Sequence, residues 1–490
     1  MNFKSTGRIL RTSAGPRVAL AIGALLTLGG CFVLRPSSGG GQTSFKPPRK
    51  VSTRDIALPP AYRIEPIATG LTFPTGIAFD DAGTPHVVES GYSYGEVWTT
   101  PRLLRIEPGG RARVVAEGRS NGPWNGVAWS RGSFYVAEGG VREGGRILKI
   151  TPAGKMSTLM SGLPSMGDHH TNGPAVGPDG WIYFGQGTAT NSALVGEDNA
   201  QFGWLARHPN FHDIPGQDIT LTGLNFVTRS KGRRVETGAF LPYGTPSRPG
   251  QVIRGRVPCS GAVMRLPPGG GRPQLVAWGF RNPFGLAFSP GGELYVTDNG
   301  YDDRGSRPVF GSGDLLWKVR RGAWHGWPDF SGNLPLAQNH FSPPGEARPE
   351  FLLARRPNPP PKPAAVLGVH SSANGFDFSR SEQFGHRGEA FVALFGDQAP
   401  VTGKVVNAVG FKVVRVNVRT GEIEDFAVNK GRINAPASAR RAGGLERPVA
   451  VRFDRSGRSL YVVDFGVLTM SSKGARPYQN TGVLWRITRL

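Results

Sequence analysis

The sequence predicts an all-β fold, a six-bladed β-propeller, on three observations. A pair of short apolar strands joined by a polar turn recurs six times, and a third strand with a basic residue between apolar neighbours also recurs six times. Glycine (71) and proline (42) are abundant enough among 490 residues to favour many turns over long helices. With 38% hydrophobic and 10% aromatic residues the chain can bury a sizeable core, which excludes a disordered tail.

The first copy is Gly76-Ile77-Ala78-Phe79-Asp80 followed by His86-Val87-Val88-Glu89. Gly126-Val127-Ala128-Trp129 then precedes Phe134-Tyr135-Val136-Ala137-Glu138, and Ala175 to Gly180 precedes Trp181-Ile182-Tyr183-Phe184. The remaining copies pair Gly285-Leu286-Ala287-Phe288 with Leu294 to Asp298, Gly375-Phe376-Asp377-Phe378 with Ala390 to Ala393, and Val449 to Phe453 with Leu460 to Asp464. Third strands are marked by Arg105, Lys149, Arg265, Lys318, Arg415 and Arg486, and fourth strands follow at Val114 to Ala116, Ser157 to Met160 and Leu275 to Trp278. Alternation of this kind suits half-buried antiparallel strands.

The sixth copy ends at Leu490 without a fourth strand, so Tyr62 to Ile67 is expected to close the ring, and the propeller is expected to span 59–490. Two segments break the period, one at about 190–257 and one within 331–368, where Pro343 to Lys362 is proline-rich. Neither has the apolar periodicity for a core of its own, so both are read as surface insertions.

Residues 1–30 read as a lipoprotein-type export signal: Lys4, Arg8, Arg11 and Arg17 with no acid, then an apolar run from Val18 to Leu28 too short for a comfortable span. Small residues before Cys31 resemble a lipobox, making Cys31 the expected lipidation site and a cell-envelope or periplasmic location the expected one; a plain N-terminal membrane anchor is the alternative. Residues 31–58 are expected to form a flexible tether. Cys259 is then the only free thiol. The formal charge of +23 favours anionic surroundings, but the basic residues are scattered without a dense run, so no nucleic-acid partner is expected.

In a propeller the segments before each first strand converge near the axis. They bring Asn121, Trp124 and Asn125, Asp168, His169 and His170, Arg281 and Asn282, His370 to Asn374, and Arg447. Histidine can take a proton near neutral pH, and an adjacent carboxylate can fix its tautomer, which singles out His169 with Asp168. Arg281 and Asn282 set a cation and an amide at the mouth, suited to developing negative charge. From Asp298 through Asn299, Gly300 and Tyr301 to Asp303, backbone carbonyls and carboxylates can turn toward a hard cation. His208 and His212 have the spacing of a helical metal pair, but Pro209 between them favours an ordinary loop. There is no nucleophile elbow, P-loop, dinucleotide fingerprint or paired Cys-x-x-Cys motif.

The run Gly279-Phe280-Arg281-Asn282-Pro283-Phe284-Gly285-Leu286-Ala287-Phe288, then Asp298-Asn299-Gly300 and Gly326-Trp327-Pro328, resembles the soluble glucose dehydrogenase and sorbosone dehydrogenase family, which depends on pyrroloquinoline quinone (PQQ). Asp168-His169 followed by Gly177-Pro178-Asp179 fits the same family. The resemblance implies a six-bladed propeller carrying PQQ over calcium (Ca2+) and oxidising a sugar, sugar aldehyde or polyol, with electrons passed to an external acceptor. It implies His169 as general base with Asp168 as its partner, and Arg281, Asn282, Asn299 and Arg447 as cofactor-binding residues. Gly300 and Tyr301 would hold calcium through their carbonyls, and Asn121, Trp124 and His170 would face substrate. Asn121 stands where the glucose enzymes have glutamine. The loop Phe395 to Pro400 lacks an arginine that sorbosone-type relatives carry, a place that Lys404 or Arg447 would fill.

Two other functions fit the same fold: a non-catalytic, envelope-anchored binding propeller, and a calcium-dependent lactonase-like hydrolase using Glu89, Asp298 and Asp464 around one ion.

Overall fold

Antiparallel pairing of the short strands produces, among the described residues, six sheets of four or five strands. The computed structural model describes residues 45–490 except 231–232, 343–344, 346, 400, 404–407 and 472. Pro74–Phe79, Trp124–Ser130, Thr171–Val176, Pro283–Phe288, Ala373–Phe378 and Pro448–Phe453 begin the six sheets in chain order. Each of these first strands packs against the next, and the sixth returns to the first, so the sheets close into a ring. Tyr62–Leu71 pairs with Gly482–Arg489, the third strand of the sixth sheet, and so the N-terminal strand closes the last sheet.

The second strands, such as Pro85–Glu89, Ser133–Glu138 and Ser459–Asp464, are buried almost throughout because neighbouring sheets cover both of their faces. All six basic residues marking third strands lie on third strands. Arg265 illustrates their use: it lies over the Trp181 ring at 4.3 Å and reaches Asp179 at 2.7 Å, covering an outer edge of the third sheet.

The acidic residues at the ends of second strands are caps. Asp298 accepts the backbone N–H groups of Arg281 and Asn282 and the Trp317 indole. Asp464 repeats the construction with Glu446, Arg447 and Trp485. Glu89 takes the Thr72 N–H at 2.6 Å. These carboxylates satisfy amides that lead into three of the six first strands, which would otherwise be costly to hide. They are therefore separated around the ring, and the arrangement of Glu89, Asp298 and Asp464 about one ion is not formed.

The two segments outside the repeat pair with each other. Ile219–Leu221 is flanked by Val252–Ile253 and by Leu353–Arg355 of the second segment. Leu194, Ile219, Phe240, Trp327, Leu336 and Leu352 join one apolar cluster with Phe184, Met264 and Trp278 of the third sheet. Neither segment has a core alone because the two share one with the ring.

Residues 45–58 depart from the expected flexible tether. Arg49 donates to Thr481 O at 2.6 Å, Gly444 O at 2.7 Å and Asp464 Oδ2 at 2.5 Å, and Ile56–Ala57 adds a fifth strand to the fifth sheet. A buried guanidinium with three acceptors fixes this stretch against the ring. No helix among the described residues is long and apolar enough to cross a membrane. Cys259 is buried, which pushes its thiol up to about 12.

Candidate active site

His169 sits where the third sheet's entry segment crosses the loop after that sheet's second strand. Its Nδ1 is 3.0 Å from Thr188 O and 3.1 Å from Thr188 Oγ1. Thr188 Oγ1 gives its own proton to Thr190 O at 2.6 Å. Both neighbours of Nδ1 are thus acceptors, so Nδ1 carries the hydrogen and Nε2 keeps a lone pair. Burial, then the charges of Arg281 and Arg304, hold the His169 pKa well below the usual histidine value, so the ring is neutral and its lone pair sits on Nε2. A side chain at Gly187 would collide with His169 Cβ and Asn282 Oδ1, so glycine there leaves room for both residues to approach this loop.

Charged groups form one network beside it. Arg281 donates through Nη2 to Asp302 at 2.7 Å and through Nε to Asn191 Oδ1 at 3.1 Å, while its Nη1 has no acceptor among the described residues. Arg304 reaches Asp168 at 2.7 Å, Asp198 at 2.6 Å and Asp302 at 3.0 Å. Burial opposes the charge on Asp302, but Arg281, Arg304 and His370 outweigh it and hold the carboxyl below its usual range. At Asp198 burial wins over Arg304 and raises the pKa, with Asp168 adding to the rise. Tyr94, at the tip of the hairpin Tyr92–Ser93 and Val97–Trp98, stands over this network. It is 43% exposed, yet enclosure pushes its phenol up to about 12, with Asp168 and Asp302 adding to the rise. Phe202, 37% exposed, lies under the Arg304 guanidinium at 5.1 Å.

Four asparagines form the floor. Asn125 Nδ2 donates to Asn172 Oδ1 at 2.9 Å, Asn172 to Asn282 at 2.9 Å, Asn282 to Asn299 at 2.8 Å, and Asn299 to Ala373 O at 2.9 Å. The chain runs from the second sheet to the fifth, stepping through the neighbouring third and fourth sheets.

Several expected residues stand elsewhere. Asp168 does not orient His169; it takes Arg304 and the Asn199 amide instead. Asn121 is fully buried, its amide donating to Glu138 and Gly144 O and its oxygen accepting from Arg142 N and Glu143 N, so nothing is left for a substrate. Trp124 is a core residue whose indole donates to Glu138. His170 lies between Tyr92 and Trp204 with Nδ1 3.3 Å from Ser165 O, and burial lowers its pKa to about 4. Arg447 is buried between the fifth and sixth sheets, donating to the carbonyls of Phe395, Gly396, Asp397 and Leu468, because three unpaired carbonyls face it where the mouth was expected. Burial lowers its pKa to about 10. Asn299 and Asn282 do meet, and Gly300 and Tyr301 follow in the same loop, their N–H groups held by Asp314 and Ser312. Lys404 and Cys31 lie outside the described residues.

Sequence reasoning missed Tyr94, Thr188 and Arg304. Arg304 had a signal, an arginine one residue beyond the acidic pair Asp302-Asp303.

No family model matches the chain. Quinoprotein glucose dehydrogenase B of Acinetobacter calcoaceticus is 26% identical over 175 residues, which is 36% of this chain and 29% of that protein. The matched stretch thus spans under a third of the relative's length. Among solved structures, the holo PQQ domain of pyranose dehydrogenase from Coprinopsis cinerea has a TM-score of 0.53 at 15% identity, covering 91% of this chain and 98% of that one. The calcium structure of the Trichoderma reesei carbohydrate-active enzyme of family AA12 has 0.52 at 16%, covering 90% and 98%. The apo soluble aldose sugar dehydrogenase of Escherichia coli has 0.51 at 14%, covering 88% and 100%. At these identities the likeness to solved structures is one of fold.

Proposed function

We propose that this chain, similar in fold and in one stretch of sequence to PQQ-dependent sugar dehydrogenases, is an exported six-bladed β-propeller dehydrogenase. Its substrate is a sugar, sugar aldehyde or polyol, its cofactors are PQQ and Ca2+, and its electrons leave to an external acceptor. The observation that carries this reading is the fixed, neutral His169, whose Nε2 lone pair lies beside the charged network of Arg281, Arg304 and their aspartates.

The residues fit the cofactors in two respects. Arg281 keeps Nη1 free of protein acceptors beside the Asn282 amide. The carbonyls of Gly300 and Tyr301 receive no N–H or O–H among the described residues, and neutral oxygens suit a hard cation where no group of three His, Cys, Asp or Glu is assembled. Arg281, Asn282 and Asn299 would hold PQQ, and Gly300 and Tyr301 the calcium. Bound PQQ supplies a two-electron acceptor and calcium a Lewis acid. His169 Nε2 takes the hydroxyl proton of the substrate, Thr188 O keeping the ring in the required tautomer. Arg281 offers Nη1 to negative charge developing near it. Tyr94 and Phe202 wall the cleft and restrict water.

Residues 1–30 export the chain, and a lipid on Cys31 holds it to a membrane surface. The test is titration of calcium-loaded protein lacking residues 1–31 with PQQ, then dye reduction over aldoses and polyols. Sugar-dependent reduction lost in His169→Ala, with PQQ still bound, is the expected result; a folded protein that takes up no PQQ overturns the reading.

One observation favours a second reading, a non-catalytic binding propeller. Arg304 and Arg447, cations that three cofactor carboxylates would draw on, are engaged by Asp168, Asp198 and Asp302 and by backbone carbonyls.

A further inference from the structure

We infer that Asp213 is the carboxylate partner of His169, acting as a positioning residue through the one peptide group that joins Thr188 to Ala189. This rests on reading His169 as the base.

The peptide is contacted at both ends. Its carbonyl, Thr188 O, accepts from His169 Nδ1 at 3.0 Å, and its amide, Ala189 N, donates to Asp213 Oδ1 at 2.6 Å. The second oxygen of Asp213 takes the Thr190 hydroxyl at 2.5 Å. Asp213 is therefore one peptide away from the imidazole, in line with the hydrogen bond that sets its tautomer. A negative charge on the amide end draws the N–H proton and makes the carbonyl at the other end a stronger acceptor. The effect on His169 is that of a directly bonded carboxylate, weakened by one intervening group.

The carboxylate next in sequence cannot fill this place, because both Asp168 oxygens are taken by Arg304 and Asn199. Asp213 is a carboxylate 1% exposed with no cation against it among the described residues, and its hydrogen-bond donors are the Ala189 amide and the Thr190 hydroxyl. Its own position is fixed where Ile214 and Ser260 exchange hydrogen bonds. Asp213 belongs to the segment between the third sheet's second and third strands, so this inserted segment reaches the base.

Burial pushes Asp213 up to about 7, with the Asp168 charge adding to the rise while the Thr190 and Ala189 hydrogen bonds oppose it. His169 is faced by Arg281, Arg304 and His170. As pH rises through neutrality Asp213 gains its charge, and the Nδ1–H bond of His169 strengthens.

The test is nitrogen NMR of histidine-labelled, cofactor-free protein, with His169 assigned by His169→Gln. Wild type is expected to show one Nδ1–H tautomer whose Nδ1 shift moves between about pH 6 and 8. Asp213→Asn should keep the tautomer, which Thr188 O and Oγ1 still set, and lose that step, and Asp213→Ala should lose the step as well. Thr190→Val, which leaves the peptide contact intact, should keep the tautomer and the step but move the step to higher pH, because the Thr190 hydrogen bond that opposes the Asp213 rise is gone. An Asp213→Asn spectrum that titrates as wild type overturns the inference, and this variant decides it even if Asp213→Ala does not fold. In parallel dye assays Asp213→Asn should lower kcat about tenfold with KM unchanged. If wild type reduces no dye, the dehydrogenase reading fails while the NMR result still decides the relay.

Discussion

Asp168 turns its carboxylate away from the adjoining His169 and toward Arg304, Oδ2 to Nη2 at 2.7 Å. The pair ties the entry segment of the third sheet to the loop after the fourth sheet's second strand, with Asp198 of the short helix Glu197–Gln201 as a third party. Asp168→Asn should therefore cost stability, about 2 kcal/mol as a shifted urea midpoint, because Arg304 keeps two other carboxylates. The His169 tautomer should not change. A variant with unaltered stability and a mixed His169 tautomer would show that Asp168 orients the base after all.

Tyr94 offers an exposed aromatic face over a charged cleft, the arrangement that stacks against a sugar ring. Tyr94→Ala should raise KM for the best sugar about tenfold, a loss of roughly 1.4 kcal/mol, with kcat little changed. Tyr94→Phe should behave nearly as wild type. Equal KM values for all three proteins would remove Tyr94 from the substrate site.

His325 is buried, stacked on Phe280 at 4.2 Å, and burial lowers its pKa to about 3. The unfolded chain takes up this proton near 6.5, whereas the folded protein does so only near 3. Its contribution to stability is complete above pH 6.5 and is lost as pH falls toward 3. His325→Phe removes that loss, so its stability relative to wild type should rise as pH falls from 6 to 4, by at most about 1.4 kcal/mol per pH unit. Chemical denaturation at several pH values measures it, and a constant difference would count against a depressed His325.

Arg49 binds Asp464, 415 positions away in the chain. Arg49→Ala should free residues 49–57 and expose Lys50 and Arg54 to trypsin, while the urea midpoint of the ring falls by an amount equivalent to about 3 kcal/mol. Retained protease resistance would mean that the strand Ile56–Ala57 suffices to hold the segment.

The strands were legible because each carries its own alternation, and the closing strand because the last copy lacked a partner. The segment 45–58 misled because Pro, Ser and Lys read as a linker, and only the fold brings Arg49 to Asp464. Asp168 misled for a related reason: adjacent residues project differently, so neighbourhood in sequence did not place its carboxylate at the imidazole. Arg447 and Asn282 both precede a proline and both donate a backbone N–H to a second-strand aspartate. Their backbones match, but the Arg447 side chain runs between Phe395 and Phe411, each 5.0 Å away, and no local pattern encodes that direction.

The asparagine floor has only one way to be ordered. Its last acceptor, Ala373 O, is a carbonyl and can never donate, so Asn299 must point its nitrogen there and its oxygen back toward Asn282, and the same choice passes to Asn172 and Asn125. Four side chains share a single orientation, like dominoes leaning the same way. A sheet that shifted could not turn its own amide without breaking the bonds on both sides, and so the asparagine floor answers as one piece to four separate parts of the ring.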